Sequence, residues 1–157
     1  ANALELIQGY DLIIDGLDNL PTRYLLNDAC YFAAKPLVSA GVLGFSGLAM
    51  TLVPGSGHCY RCLFPEDKHS GPVPSCAETG VLGPVPGLMG FIEAAEAIKY
   101  LTDTGEALIN RLVIFDAEEM DFYVPEHLKD ANCALCGSSP TISSLLDYTF
   151  VCDSKRD

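Results

Sequence analysis

The sequence predicts an α/β fold built around a βαβ unit, and three observations carry that expectation. The run "YDLIID", residues 10–15, is short, apolar and ends in acid, as a buried strand does. "GLDNLP" follows with turn and helix-start chemistry, and the helical segment after it stops at Pro36. A second apolar run, "LVSAGV", then arrives at the spacing of a parallel strand after a crossover helix.

Within that helix Asp18 or Asn19 can supply the cap and Pro21 fits the first turn. Leu25, Ala29, Phe32 and Ala33 recur at helical spacing to about Lys35 and mark the expected packing face. "LAMTLVPG" follows too closely for another crossover helix, so it is expected to return antiparallel and make the sheet mixed. Residues 65–80, "PEDKHSGPVPSCAETG", read as a long exposed loop. Residues 84–103 read as an amphipathic, core-packing helix with Leu88, Phe91, Ile92, Ala95 and Ile98 on one face and Glu93, Glu96, Lys99 and Asp103 off it. "RLVIFDAEEMDFYVP", residues 111–125, reads as a strand pair or one bent strand.

A chain of 157 residues with 49% apolar composition has the length and the core of one domain, spanning 1–157. Nine basic against 21 acidic residues, a formal charge of -12, leave no electrostatic footprint for nucleic acid and suit a basic or neutral protein partner. The charge-free residues 36–53 are long enough to raise the question of a membrane span. Glycines 41, 44 and 47, with Ser39, Ser46 and Thr51, divide that run into two short strands instead. No basic region followed by an apolar one and a cleavage site opens the sequence, so the expected compartment is the cytoplasm.

Seven cysteines is an odd number, and four of them form two Cys-x-x-Cys pairs, Cys59/Cys62 and Cys133/Cys136. Either pair alone is half of a metal site, a redox dithiol or a buried turn. Two matched pairs complete a tetrahedron of thiolates, and zinc is preferred over iron because nothing else in the chain suggests electron transfer. Such a site is closed, so its expected role is to staple the tail to the sheet layer. Gly137 is expected to supply a positive-φ position after the second pair. Four sulfurs leave His58 no coordination position, and a surface location is expected for it.

"IIDGLDN" sets Asp15 and Asp18 at the carboxyl end of the first strand, where open α/β sheets bind their ligands. A carboxylate there can hold Mg2+ against nucleotide phosphates. It can equally do no more than cap the helix.

The segments "DGLDNLPTRYLLNDAC", "PLVSAGVLGFSG", "CYRCLF", "CAETGVLGPVPGLMG" with "EAIKYL", and "CALCG" with "SPTISSLLDY" resemble, in order, the ThiF/MoeB/HesA adenylyltransferases, relatives of the ubiquitin-activating enzymes. The resemblance implies a Rossmann-like fold that uses MgATP to adenylate the C-terminal glycine of a small ubiquitin-like sulfur carrier, in thiamin or molybdopterin synthesis, usually as a homodimer. It implies that Asp18 is the metal-binding aspartate, that Asn19 and Arg23 stand beside it at the nucleotide, and that the cysteine pairs hold structural zinc. It also matches Cys76 to a position where many members carry a reactive cysteine, although no His or Lys is fixed beside it to lower its pKa. The family's glycine-rich nucleotide loop has no counterpart, since "GVLGFSG" follows the wrong strand. The chain therefore reads as the C-terminal part of the family domain, expected to be inactive alone. The competing expectation is a catalytically silent, zinc-stapled module that still binds a ubiquitin-like partner. A rubredoxin-like electron carrier shares the cysteine spacing but not the βαβ core.

Overall fold

The computed structural model describes residues 2–66 and 79–147. Its elements are α1 (Ala3–Ile7), β1 (Ile13–Asp15), α2 (Leu20–Phe32), β2 (Leu37–Leu43), β3 (Ser46–Leu52), α3 (Tyr60–Leu63), α4 (Pro84–Thr102), β4 (Leu112–Asp116) and β5 (Asp121–Tyr123). They form one five-stranded sheet in the order β1-β2-β3-β4-β5. β1 and β2 are parallel, with Ile13 opposite Leu37 and Asp15 opposite Ser39. The remaining neighbours are antiparallel, so the sheet is mixed as the sequence implied.

The charge-free run is the β2–β3 hairpin. Leu43 pairs with Ser46 across the turn, and Gly44 adopts φ 58, a conformation that glycine reaches without strain. Among the described residues no helix is long and apolar enough to cross a membrane.

Alternation along the strands sends side chains to two cores. On one face α1 and α2 close over Ile7, Tyr24, Ala29, Cys30, Leu37, Met50, Leu52, Tyr60 and Leu112. On the other, α4 packs Val85 and Met89 against Ala40, Ala49 and Phe115.

Two helix faces depart from the expectation. α2 buries Tyr24, Asn27, Asp28, Ala29 and Cys30, while Phe32 lies at its exposed end. α4 buries Val85, Met89, Glu93, Glu96 and Ala97, and leaves Phe91 79% and Ile98 62% exposed. The reason is visible at Glu96. Its Oε2 accepts from Thr51 Oγ1 at 2.7 Å and from the Leu108 backbone N–H at 2.6 Å, and Oε1 pairs with Lys99, so a partnered carboxylate occupies the buried stripe.

Candidate functional site

At the carboxyl end of β1 the chain turns from Asp15 into α2. Asn19 is the helix cap, with Oδ1 accepting from the Thr22 backbone N–H at 2.9 Å. Asp18 is thereby spared that role. It is exposed, its Oδ1 accepts only from Asn19 Nδ2 at 3.2 Å, and among the described residues no cation pairs with it. A lone carboxylate at a strand's carboxyl end suits Mg2+, which takes one or two protein carboxylates and completes its shell with phosphates and water.

Asp15, in contrast, is buried (3% exposed). Its Oδ1 accepts from the Leu17 backbone N–H at 2.8 Å, and its Oδ2 accepts from Ser39 Oγ at 2.8 Å and from Arg23 Nη1 at 2.9 Å. Arg23 Nη1 also donates to the Ala40 carbonyl at 2.6 Å, and Nη2 donates to the Leu17 carbonyl. Glu93 of α4 faces the same cluster. Burial, reinforced by the Asp15 charge, pushes its carboxyl up to about 7, and its Oε1 has no hydrogen-bond partner among the described residues.

The second centre packs against Tyr31, near the C-terminal end of α2. The four sulfurs of Cys59, Cys62, Cys133 and Cys136 all lie within 4.8 Å of one another, and all four residues are buried. Sγ separations are 3.9 Å for Cys59–Cys62, 3.5 Å for Cys59–Cys133 and 3.3 Å for Cys62–Cys136. A tetrahedral site with zinc–sulfur distances of about 2.3 Å sets its sulfurs about 3.8 Å apart, so the cluster matches that geometry closely. Hydrogen bonding among the sulfurs, chiefly from Cys136, holds Cys133 below the ordinary thiol range and, chiefly through Cys133, pushes Cys59 above it. The Asp130 backbone N–H donates to Cys62 Sγ at 3.5 Å.

The first pair is set on α2 by polar contacts. Tyr60 N–H donates to Asn27 Oδ1 at 2.9 Å, and the Arg61 guanidinium stacks 4.7 Å over the Tyr24 ring. The second pair is held by the Gly137 N–H, which donates to the Cys133 carbonyl at 2.9 Å, and the Ser138 N–H, which donates to that of Ala131 at 2.8 Å. Gly137 does not have a positive φ, contrary to expectation. A Cβ there would lie 2.7 Å from both the Ala131 carbonyl oxygen and the Cys133 nitrogen, so close backbone approach is what requires glycine.

His58 is likewise not at the surface. It is 3% exposed, its ring sits 5.3 Å from that of His127, and burial followed by the His127 charge lowers its pKa. Cys30, which carried no sequence signal, is buried against the same core and its thiol is pushed up to about 12 by burial, which leaves it unreactive. Cys76 lies outside the described residues. Sequence reasoning missed Asp28 and Arg61, which pair across distant segments, and Glu93, whose burial beside Asp15 a helical pattern does not reveal. Asp15 was legible only as a strand-end acid.

The ThiF family matches residues 1–136. The chain is 48% identical over 151 residues to a SAMP-activating enzyme E1 of Haloferax volcanii, covering 96% of this chain and 55% of that protein. It is 44% identical over 156 residues to a sulfur carrier protein adenylyltransferase of Thermus thermophilus, covering 96% and 58%. It is 43% identical over 155 residues to the adenylyltransferase and sulfurtransferase MOCS3 of Bos taurus, covering 98% and 34%. The chain thus spans between a third and three fifths of these curated relatives. Among solved structures it resembles E. coli MccB, with a TM-score of 0.68 at 19% identity over 89% of this chain and 42% of that one. That likeness is one of fold. With the ThiF match over most of its length, the chain belongs to the ThiF family.

Proposed function

We propose that this chain is the carrier-facing, metal-binding part of an ATP-dependent adenylyltransferase that activates the C-terminal glycine of a ubiquitin-like sulfur-carrier protein. The observation that carries the reading is the Asp18 carboxylate, left free at the end of β1 because Asn19 caps the helix. The relatives' names support it, since two are adenylyltransferases and one of these acts on a sulfur carrier. An MccB structure with ATP, of the same fold at 21% identity and a TM-score of 0.63, supports a nucleotide substrate.

In this reading Asp18 would hold Mg2+, with Asn19 beside it, and the metal when bound would stabilise the phosphate oxygens where charge accumulates. The carrier's terminal carboxylate displaces pyrophosphate at the α-phosphate, so two anions must be brought together, and Asp18 serves only as a ligand. The four cysteines would hold structural zinc, their donor set and spacing suiting it, in a closed four-thiolate site that leaves no open position for chemistry. Cys76 is proposed as a reactive cysteine toward the activated carrier. A cytoplasmic homodimer serving thiamin or molybdopterin synthesis completes the proposal, and the five described cysteines, all free thiols, fit a reducing compartment.

The test is exchange of labelled pyrophosphate into ATP by the intact protein, with and without a ubiquitin-like carrier ending in glycine. Exchange that requires the carrier is expected. Carrier binding with no exchange would instead identify a silent, zinc-stapled docking module.

A further inference from the structure

Arg23 belongs to the segment whose resemblance assigns it to the nucleotide, yet its guanidinium points back into the fold. Its side chain is 11% exposed, and Nη1 is committed to Asp15 Oδ2 at 2.9 Å and the Ala40 carbonyl at 2.6 Å. Nη2 donates to the Leu17 carbonyl. The same Leu17 gives its N–H to Asp15 Oδ1 at 2.8 Å. Both backbone polar groups of the residue before Asp18 are therefore held by one ion pair.

We infer that Asp15 and Arg23 form a clamp on Leu17 that fixes the backbone leading into Asp18, so that both are positioning residues for the Asp18 carboxylate. The inference deepens the reading of Asp18 as a metal ligand and rests on it. The clamp draws on three elements. Asp15 ends β1, Arg23 lies in the first turns of α2, and Ser39 Oγ and the Ala40 carbonyl bring in β2, with Ser39 donating to Asp15 Oδ2 at 2.8 Å.

The turn that carries Asp18 has no regular secondary structure of its own, and Gly16 within it leaves the backbone free to sample other conformations. Without the clamp the Asp18 carboxylate would wander by the distance of a loop motion, and a reacting group displaced by about 1 Å can lose about a hundredfold in rate. The planar fork of arginine matters here. A lysine ammonium is a single point that cannot meet the Asp15 carboxylate, the Ala40 carbonyl and the Leu17 carbonyl together. A contact made with nucleotide would show instead in the affinity for ATP, because lysine cannot reproduce a bidentate arginine–phosphate contact. The two roles therefore part in their kinetics.

The test combines two measurements. In the chain as it stands, amide hydrogen exchange at Leu17 is expected to be at least about tenfold slower than in an unstructured peptide, although Leu17 lies outside any helix or strand. Free exchange at Leu17 would overturn the clamp without reference to any variant. In the intact protein, Arg23→Lys and Asp15→Asn are each expected to lower kcat for carrier-dependent pyrophosphate exchange about tenfold or more while KM for ATP stays within about twofold. A raised KM for ATP at unchanged kcat would make Arg23 a nucleotide contact and overturn the inference, as would no change in either constant. Asp18→Ala is run beside them. If it retains ordinary exchange, the reading of Asp18 fails; if it is inactive while Arg23→Lys behaves as the parent, only the clamp fails.

Discussion

Arg61 grips Asp28 with two parallel hydrogen bonds, Nε to Oδ1 and Nη2 to Oδ2, both 2.8 Å, in a pair whose side chains are 3% and 0% exposed. Arg61 stands between Cys59 and Cys62, and Asp28 lies on α2, so this pair ties the first cysteine turn to the helix that begins beside Asp18. Its Nη1 reaches Glu66 at 2.8 Å, at the root of the segment leading to Cys76.

Breaking that pair from one side leaves a buried charge unmatched. Arg61→Leu is expected to destabilise the fold by about 3–5 kcal/mol, measured by urea denaturation, and Asp28→Leu by a similar amount. The double variant should lose less than the sum, since neither charge is then stranded. Additive losses in the cycle would mean the two residues act separately.

Metal should be stoichiometric. Freshly prepared, reduced protein is expected to carry about one zinc per chain, and Cys133→Ser to lose it, with a fall in Tm of about 10 °C or more as the tail segment loosens from the first pair. Elemental analysis and thermal melts check both. Metal-free protein of unchanged Tm would reduce the cluster to four neighbouring thiols.

Glu93 makes stability depend on pH in a definite direction. Its folded pKa is raised from an ordinary carboxylate value to about 7, chiefly by burial. The stability it contributes is fully present below the unfolded carboxylate pKa and is lost as pH rises through about 7. Glu93→Gln should therefore flatten the fall in stability between pH 5 and 8 and raise it at pH 8 by on the order of 1–2 kcal/mol. Denaturation curves across that range would show it, and an unaltered pH dependence would place the ionisation elsewhere.

Much of the fold was legible because the chain punctuates it. Pro36 stops α2, Gly44 turns β2 into β3, and Asn19 with Pro21 opens α2, all signals that act within a few residues. The four cysteines were legible for the same reason, each pair being its own local motif. What stayed hidden depends on partners far along the chain. Glu96 looked like a solvent-facing residue because its acceptor role for Thr51 and Leu108 is invisible in a helical pattern, and Phe91 and Ile98 looked like core because periodicity cannot say which apolar stripe is covered. His58 and Gly137 were misjudged on the same ground, His58 by its neighbours in space and Gly137 by a close contact with Ala131 and Cys133. α1 and α3, of five and four residues, are too short to leave a periodic signal.

The most direct measurement is carrier-dependent pyrophosphate exchange by the intact protein carrying Asp18→Ala, beside the unsubstituted protein and with zinc content and circular dichroism as controls on the fold. Asp18 is exposed and neither caps α2 nor enters the core, so the fold should be unchanged. Exchange is expected to fall on the order of a hundredfold or more, the scale of losing a group that stabilises developing charge. Ordinary exchange by the folded, zinc-loaded Asp18→Ala protein would contradict the assignment of Asp18 to the metal and the nucleotide.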